Sequence, residues 1–285
     1  MRVLVTGATG YIGGRLIPLL LDAGHTVRVL ARDLDRLSDR PWTHRVEKVE
    51  GSVLDPDALG RALEGVDAAY YLIHAMCSGP DFARRDREAA EAFAAAAGHL
   101  KQVVYLGGIL PDETTVRNSK HLRSRAEVGE ILRERLGSAA TEFRAGPIIG
   151  SGSASFEMVR YLTERLPAMV APKWIRNDVQ PIAVRNVLEY LVGVLGRDDV
   201  AGVIDIGANV LTFREMMLQY AEVRGLPRII LPLPVLAPGL AALWVGLVTP
   251  IPNCLAVPLV RGMVRPVVAD LARARSLFPD IAPMD

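Results

Sequence analysis

The sequence predicts an α/β fold: a doubly wound parallel sheet with helices on both faces and a small, mostly helical lobe toward the C-terminus. Three observations lead there. Short apolar runs alternate with amphipathic segments up to about residue 149. Those runs are apolar at nearly every position, as strands covered on both faces must be. A glycine-rich turn follows the first run directly. With 285 residues, 50% hydrophobic and 23% charged, the chain has the composition of a globular protein with room for one large domain and a smaller lobe.

The elements follow in order. "RVLVTG" reads as the first strand, and "YIGGRLIPLLLDAG" as a helix closed by Gly24. "TVRVLAR", "HRVEKVEGS" and "DAAYYLIHA" read as the second, third and fourth strands. "DFARRDREAAEAFAAAAGH" is a long helix, "KQVVYLGG" the fifth strand, "HLRSRAEVGEILRERLG" a helix and "ATEFRAGPIIG" the sixth strand. Beyond Gly150 the rhythm loosens. "SASFEMVRYLTERL", "RNVLEYLVGVLG" and "TFREMMLQYAEVRG" are helical, while "DVQPIAV" and "GVIDIG" are strands. No charged residue lies between Ile229 and Val260. Prolines interrupt this stretch, and its longest proline-free run, Gly239 to Thr249, is too short to cross a bilayer of roughly 30 Å at about 1.5 Å per residue. It reads as a buried helix pair in the lobe, with two alternatives: an apolar wall around a substrate, or a patch that meets a peripheral membrane surface or a protein.

"GATGYIG" sets Gly7, Gly10 and Gly13 at GxxGxxG spacing between the first strand and the first helix. Glycine permits the tight turn and a close approach of backbone to a pyrophosphate, and the helix N-terminus offers free N–H groups to the phosphates. The fold is therefore read as Rossmann-type, with residues 1–150 binding NAD(P). Residues 151–285 add sheet strands and a substrate-side lobe interwoven with the first part. Thr9, Tyr11 and Ile12 belong to the same turn. The second strand ends at Ala31, where a carboxylate would bind an adenosine ribose hydroxyl; Arg32 follows instead and can pair with a 2′-phosphate. This favours NADP(H) over NAD(H). Asp33 competes if the strand runs two residues further. Ser52 and Val53 are expected near adenine, and Ile73 and His74 beside the riboses. Asp55 is expected to cap the next helix.

The formal net charge of +1, with no basic stripe, gives no footprint for nucleic acid. Cys77 and Cys254 are too few and too isolated to predict a disulfide framework or a metal site, so a reducing cytoplasm is expected. The chain enters a strand at once, and no secretory signal is expected. Basic residues are nearly all arginine and alanine is abundant, which hints at a GC-rich bacterial genome.

The stretches "VTGATGYIGG", "GSVLDPDAL", "VVYLGG", "FRAGPIIG", "VQPIAVRNV" and "GVIDIGANVLTFREMM" resemble the short-chain dehydrogenase/reductase superfamily, in its extended and atypical branches. "YYLIHAM", "HLRSRAEVGEIL" and "GSGSASFEMVRYL" look like the bacterial YbjT-like NAD(P)-binding proteins. The resemblance implies a catalytic Ser/Thr, Tyr and Lys, the last two as YxxxK. Laid on this chain, Ser124 matches the serine that precedes lysine, His121 stands where tyrosine should be, and Arg125 where lysine should be. The hydroxyl position falls among Gly107, Gly108 and Ile109. A competing register through Ser119 and Lys120 puts Val116 at the tyrosine position. Pro147 resembles the family proline beside the nicotinamide. Past it, Ser151, Ser153 and Ser155 can bond a substrate, although helix capping suits Ser153 better.

Three functions are then in play. The first is an NADPH-dependent reductase of an apolar conjugated carbonyl or quinone-like substrate, with His121 as proton donor and Arg125 on the ribose. The second is a non-catalytic NADP(H)-binding redox sensor or assembly protein. The third, an epimerase or dehydratase acting on a nucleotide sugar, ranks lowest because its chemistry needs the missing tyrosine.

Overall fold

Arg2–Thr6 forms β1, buried at every position after Arg2. The computed structural model describes residues 1–77, 79–233 and 244–285. After β1 come α1 (Gly13–Asp22), β2 (Thr26–Ala31), β3 (Glu47–Glu50), α2 (Pro56–Leu63), β4 (Ala68–Tyr71), α3 (Phe82–Ala96), β5 (Gln102–Gly108), α4 (Glu113–Asn118), α5 (Lys120–Leu136) and β6 (Ala140–Ala145). Next follow β7 (Ile148–Ile149), α6 (Ala154–Arg165), β8 (Ala168–Pro172), β9 (Asp178–Val179), β10 (Ile182–Ala183), α7 (Val184–Gly193), β11 (Gly202–Ile206), β12 (Leu211–Thr212), α8 (Phe213–Val223) and β13 (Ile229–Leu233). A helical stretch at 244–248 and two further helices, Asn253–Gly262 and Ala272–Leu277, complete the described chain.

Seven strands form one parallel sheet in the order β11-β6-β5-β4-β1-β2-β3. The strand order reverses between β1 and β4, and the crevice beyond their carboxyl ends is where an open α/β sheet binds ligands. Side chains alternate across the sheet as strand geometry requires. Val3 and Val5 pack with Leu16, Leu20 and Leu191 on one face, while Leu4 and Tyr71 pack with Phe93 and Leu132 on the other. β11 comes from beyond residue 150 yet pairs with β6 in this sheet. Asp55 caps α2, accepting from the N–H of Asp57 at 3.1 Å and of Ala58 at 3.3 Å.

The lobe has its own core, in which Met158, Leu162, Phe213, Met217, Ile230 and Val260 are buried together. Between Ile229 and Val260, where a buried helix pair was expected, residues 244–248 and Asn253–Gly262 are helical, but the start of the stretch is not. The stretch opens as β13, paired in parallel with β8. Ile230 is buried while Ile229 and Leu231 are exposed, a period of two that a strand satisfies and a helix does not. The helix Asn253–Gly262 closes it; residues 234–243, including much of the proline-free run, lie outside the described residues. "DVQPIAV" is split into β9, paired with β12, and β10, paired with β7. Pro181 lies at the break and has no N–H to continue a ladder.

The expectation of isolated cysteines is overturned. Cys77, in the loop after β4, is disulfide-bonded to Cys254 in the first turn of the Asn253–Gly262 helix, with Cα atoms 5.2 Å apart. They are 177 residues apart in sequence. Spacing alone does not reveal such a contact, because it is the docking of the lobe on the β4 exit that creates it. The argument for a reducing compartment from cysteine usage therefore lapses.

Candidate functional site

The glycine turn is packed too closely for any side chain. Gly7 has φ +74°, and a Cβ on it would lie 2.5 Å from the Leu72 carbonyl oxygen, at the exit of β4. A Cβ on Gly13 would lie 2.4 Å from the Gly7 carbonyl oxygen. Glycine thus lets the β1 exit, the β4 exit and the start of α1 meet. A cleft of about 400 Å3 opens at this junction. Gly7, Thr9, Gly10, Arg32, Ser52, Val53, Ile73 and His74 line it, as the sequence suggested. Asp33 does not; its carboxylate accepts from the Asp35 N–H at 3.0 Å. β2 ends at Ala31, so the register that makes Arg32 the first residue past the strand is the one observed. No hydrogen bond or ion pair with the described residues engages Arg32.

Tyr11, Ile12, Gly13 and Pro147 are not in the cleft wall. Tyr11 turns toward the loop after β7. A Cβ on Gly150 would come within 2.6 Å of its hydroxyl, and the Arg15 guanidinium lies 4.0 Å from its ring centroid. That hydroxyl is buried with no hydrogen-bond partner among the described residues. Pro147 accepts from the Ile182 N–H at 3.0 Å, fixing β7 against β10. Ser153 caps α6, accepting from the Phe156 N–H at 3.2 Å.

His74 is the point where the cleft meets α5. Its Nδ1 lies 2.9 Å from Asp86 Oδ2, and its Nε2 lies 3.2 Å from His121 Nδ1. Asp86 sits on α3 and is 2% exposed, which makes it a buried carboxylate in need of partners. It finds the Ala75 N–H at 2.8 Å and the Ser124 hydroxyl at 3.0 Å. Burial raises the Asp86 pKa, but the hydrogen bonds from His74, Ala75 and Ser124 outweigh it and hold the group below the usual carboxylate value. An ionised carboxylate only accepts, so His74 Nδ1 carries the proton of that bond. Burial lowers the His74 pKa, partly offset by Asp86. Burial, then His74 and Arg125, push His121 down to about 3. At neutral pH the His121 ring is therefore uncharged and holds no surplus proton of its own. With both rings neutral, His74 Nε2 is bare and His121 Nδ1–H donates to it. His121 Nε2 then carries a lone pair.

Arg125 donates to the Leu106 carbonyl oxygen, and its guanidinium stands 5.3 Å from the Tyr105 ring centroid, whose hydroxyl donates to the Arg125 carbonyl oxygen at 3.2 Å. It holds the end of β5 and does not line the cleft. Sequence reasoning missed Asp86. A signal was present: Asp86 shares the buried face of α3 with Ala89, Ala90 and Phe93, and a lone acid on an apolar helix face demands an explanation. Ser124 was seen only as a motif match.

A glycine turn that any Cβ would fill, an arginine without a partner among the described residues at the end of β2 and a cleft at the sheet's switch point together fit a nicotinamide dinucleotide. Gly7–Gly10 would take the pyrophosphate, and Ser52 and Val53 the adenine side.

Comparison with known proteins agrees. The NAD(P)H-binding family matches residues 7–144. The (4-alkanoyl-5-oxo-2,5-dihydrofuran-3-yl)methyl phosphate reductase of Streptomyces griseus is 33% identical over 232 residues, 79% of this chain and 74% of that protein. The photosystem II assembly factor Ycf39 of Synechocystis is 39% identical over only 69 residues, 24% of this chain and 21% of that protein. Among solved structures, MoeE5 in complex with UDP-glucuronic acid and NAD matches with TM-score 0.73 at 17% identity, covering 100% of this chain and 95% of that one. Vestitone reductase from alfalfa matches with TM-score 0.68 at 15% identity, covering 100% and 93%. At those identities the likeness is one of fold. Fold, glycine turn and relatives together place the chain in the NAD(P)H-binding family of atypical short-chain dehydrogenases/reductases.

Proposed function

We propose that this protein is an NADPH-dependent reductase of an apolar, conjugated carbonyl or quinone-like substrate, and that Asp86, His74 and His121 supply the proton. The hydrogen-bond chain Asp86–His74–His121 carries this reading. It ties the cleft wall to the helix position where the family resemblance would place the catalytic tyrosine. Bound NADPH would supply the hydride. The protein's own task is to deliver a proton to the resulting enolate.

His121 does not store that proton, since its ring is uncharged at neutral pH. His74 is the better store, because Asp86 stands against it. When His74 is protonated, its Nε2–H donates to His121 Nδ1, and His121 carries its own proton on Nε2. The Nε2 proton passes to the enolate, the His74 Nε2 proton passes to His121 Nδ1, and both rings end neutral. Charge is conserved, and no isolated imidazolium forms on His121. A conjugated acceptor suits this arrangement because its delocalised charge can wait for the proton. The Streptomyces relative is named for a methyl phosphate whose ring is a conjugated carbonyl with an alkanoyl chain; the conjugated carbonyl supports the reading, while the phosphate makes that compound charged at one end.

NADPH oxidation with a panel of alkyl-substituted enones and quinones tests it. Turnover is expected with at least one acceptor and should rise as pH falls below the ordinary histidine value, because His74 titrates below it. His121→Ala and Asp86→Asn should each lower turnover by roughly 10²–10⁴-fold while leaving NADPH affinity near its original value. Full turnover in both variants would refute the proton route. The alternative, a non-catalytic NADP(H) sensor or assembly protein, is favoured by the absent tyrosine–lysine pair and the local similarity to an assembly factor. It predicts no oxidation with any acceptor but a change of conformation or partner on NADPH binding.

A further inference from the structure

The lobe presents an apolar face to solvent. In the β8·β13 ribbon, Ile229 stands opposite Ala168 and Leu231 opposite Val170. The period of two buries Met169 and Ile230 and turns Val170, Ile229 and Leu231 outward, at 49%, 60% and 57% exposure. Residues 244–248 add Trp244 at 39% and Leu247 at 82%. Val170 and Trp244 also line a cavity of about 480 Å3, walled by methionines 158, 169, 217 and 263. The cavity therefore reaches the surface within this face. Single exposed apolar residues need no explanation; a contiguous group that opens onto an apolar cavity does.

Basic residues outnumber acids around it, although Glu164 on α6 lies 3.8 Å from the Arg224 guanidinium. From residue 223 to residue 269 there is no Asp or Glu, while Arg224, Arg228, Arg261 and Arg265 are present. Arg165, exposed at the end of α6, donates to the Val248 carbonyl oxygen and so borders the helical stretch 244–248. Lys173 is exposed directly after β8. No helix of the described residues is long and apolar enough to cross a membrane. Apolar side chains flanked by an excess of cations are what an anionic lipid surface attracts, each cation adding a small, salt-screened increment. A second copy is a poorer occupant, because a two-fold contact would set like charges against each other.

We propose that this face seats peripherally on an anionic phospholipid surface, with Ile229, Leu231, Trp244 and Leu247 in the acyl boundary and the arginines against the phosphates. The proposal does not rest on the reductase reading: its assay reads binding and the other reads turnover, so each can fail alone.

Co-sedimentation with phosphatidylcholine vesicles, with and without phosphatidylglycerol, tests it. The full chain is expected to partition onto phosphatidylglycerol vesicles, more weakly onto phosphatidylcholine alone, and less in high salt. Leu231→Glu and Leu247→Glu should each reduce partitioning roughly tenfold, the loss expected for one leucine withdrawn from an apolar phase. Arg261→Gln/Arg265→Gln should lessen the salt dependence. Leu19→Glu, at an exposed leucine on α1, should change nothing. All of these side chains are exposed, and unaltered NADPH binding and thermal unfolding will verify the fold. Three results would overturn the proposal: no partitioning onto either vesicle, equal loss in Leu19→Glu, or a soluble dimer or protein complex that the leucine substitutions abolish in the absence of vesicle binding.

Discussion

At Asp86 three donors, from His74, Ala75 and Ser124, converge on one buried carboxylate. Their combined effect fixes the tautomer of His74, and through it the face that His121 presents. This has a consequence for stability. The His121 pKa falls from an unfolded value of about 6.5 to about 3 on folding, chiefly because burial disfavours the cation. The unfolded chain thus binds more protons between those values, so His121 contributes stability that is complete above about pH 6.5 and lost as pH falls toward 3. His74 acts in the same direction. Asp86, also depressed, adds a loss that begins only below the ordinary carboxylate value. Urea unfolding across pH should show the steeper acid loss in the unmodified protein and a shallower one in His121→Gln; identical slopes would count against a buried neutral His121. Arg32 is the other decisive residue. It stands at the end of β2 in the cleft wall, with no partner among the described residues. NADPH should bind at least about tenfold tighter than NADH, or roughly 1.4 kcal/mol. Arg32→Ala should erase the difference in calorimetric titrations.

Among the elements, β1, α1, β2 and the long helices α3 and α5 were legible because their apolar periods are strong and their ends carry glycines or capping residues. The short α4 and the ribbon strand β8 were missed. α4 spans only Glu113–Asn118 and has too few turns to show a period. β13 was mistaken for helix because an uninterrupted apolar run fits either period until its burial is known. Helix α5 keeps a glycine for a reason the linear chain hides. A Cβ on Gly129 would lie 2.5 Å from Glu142 Oε2. Glu142 is 2% exposed on β6, and its carboxylate is held between Arg133 and Arg144. A larger residue would push α5 off the sheet or drive the carboxylate from its arginines. Gly129→Ala should therefore destabilise by about 1–3 kcal/mol despite alanine's better helix propensity. Chemical denaturation measures it, and a stabilising effect would mean the helix shifts freely.

At the scale of the whole molecule, the lobe is tied to the sheet by the Cys77–Cys254 disulfide, three residues past His74. Breaking it enlarges the unfolded ensemble and frees the β4 exit loop. Cys254→Ser should cost about 2–4 kcal/mol, read as a lower denaturation midpoint. The unmodified protein under dithiol reduction should match the variant; no change in either would show that the cross-link carries no stability. The sequence by itself determined the parallel sheet, the glycine turn and the first residue past β2, because these depend on short-range periodicity, on glycine's missing Cβ and on strand length. Only the tertiary structure decided that Asp86 and His121 meet on either side of His74, that Cys77 reaches Cys254, and that Ile229 and Leu231 face outward. The first two join residues from different elements, and the third depends on which face of β13 the lobe covers; all are set by how helices and lobe pack on the sheet, which no local pattern encodes.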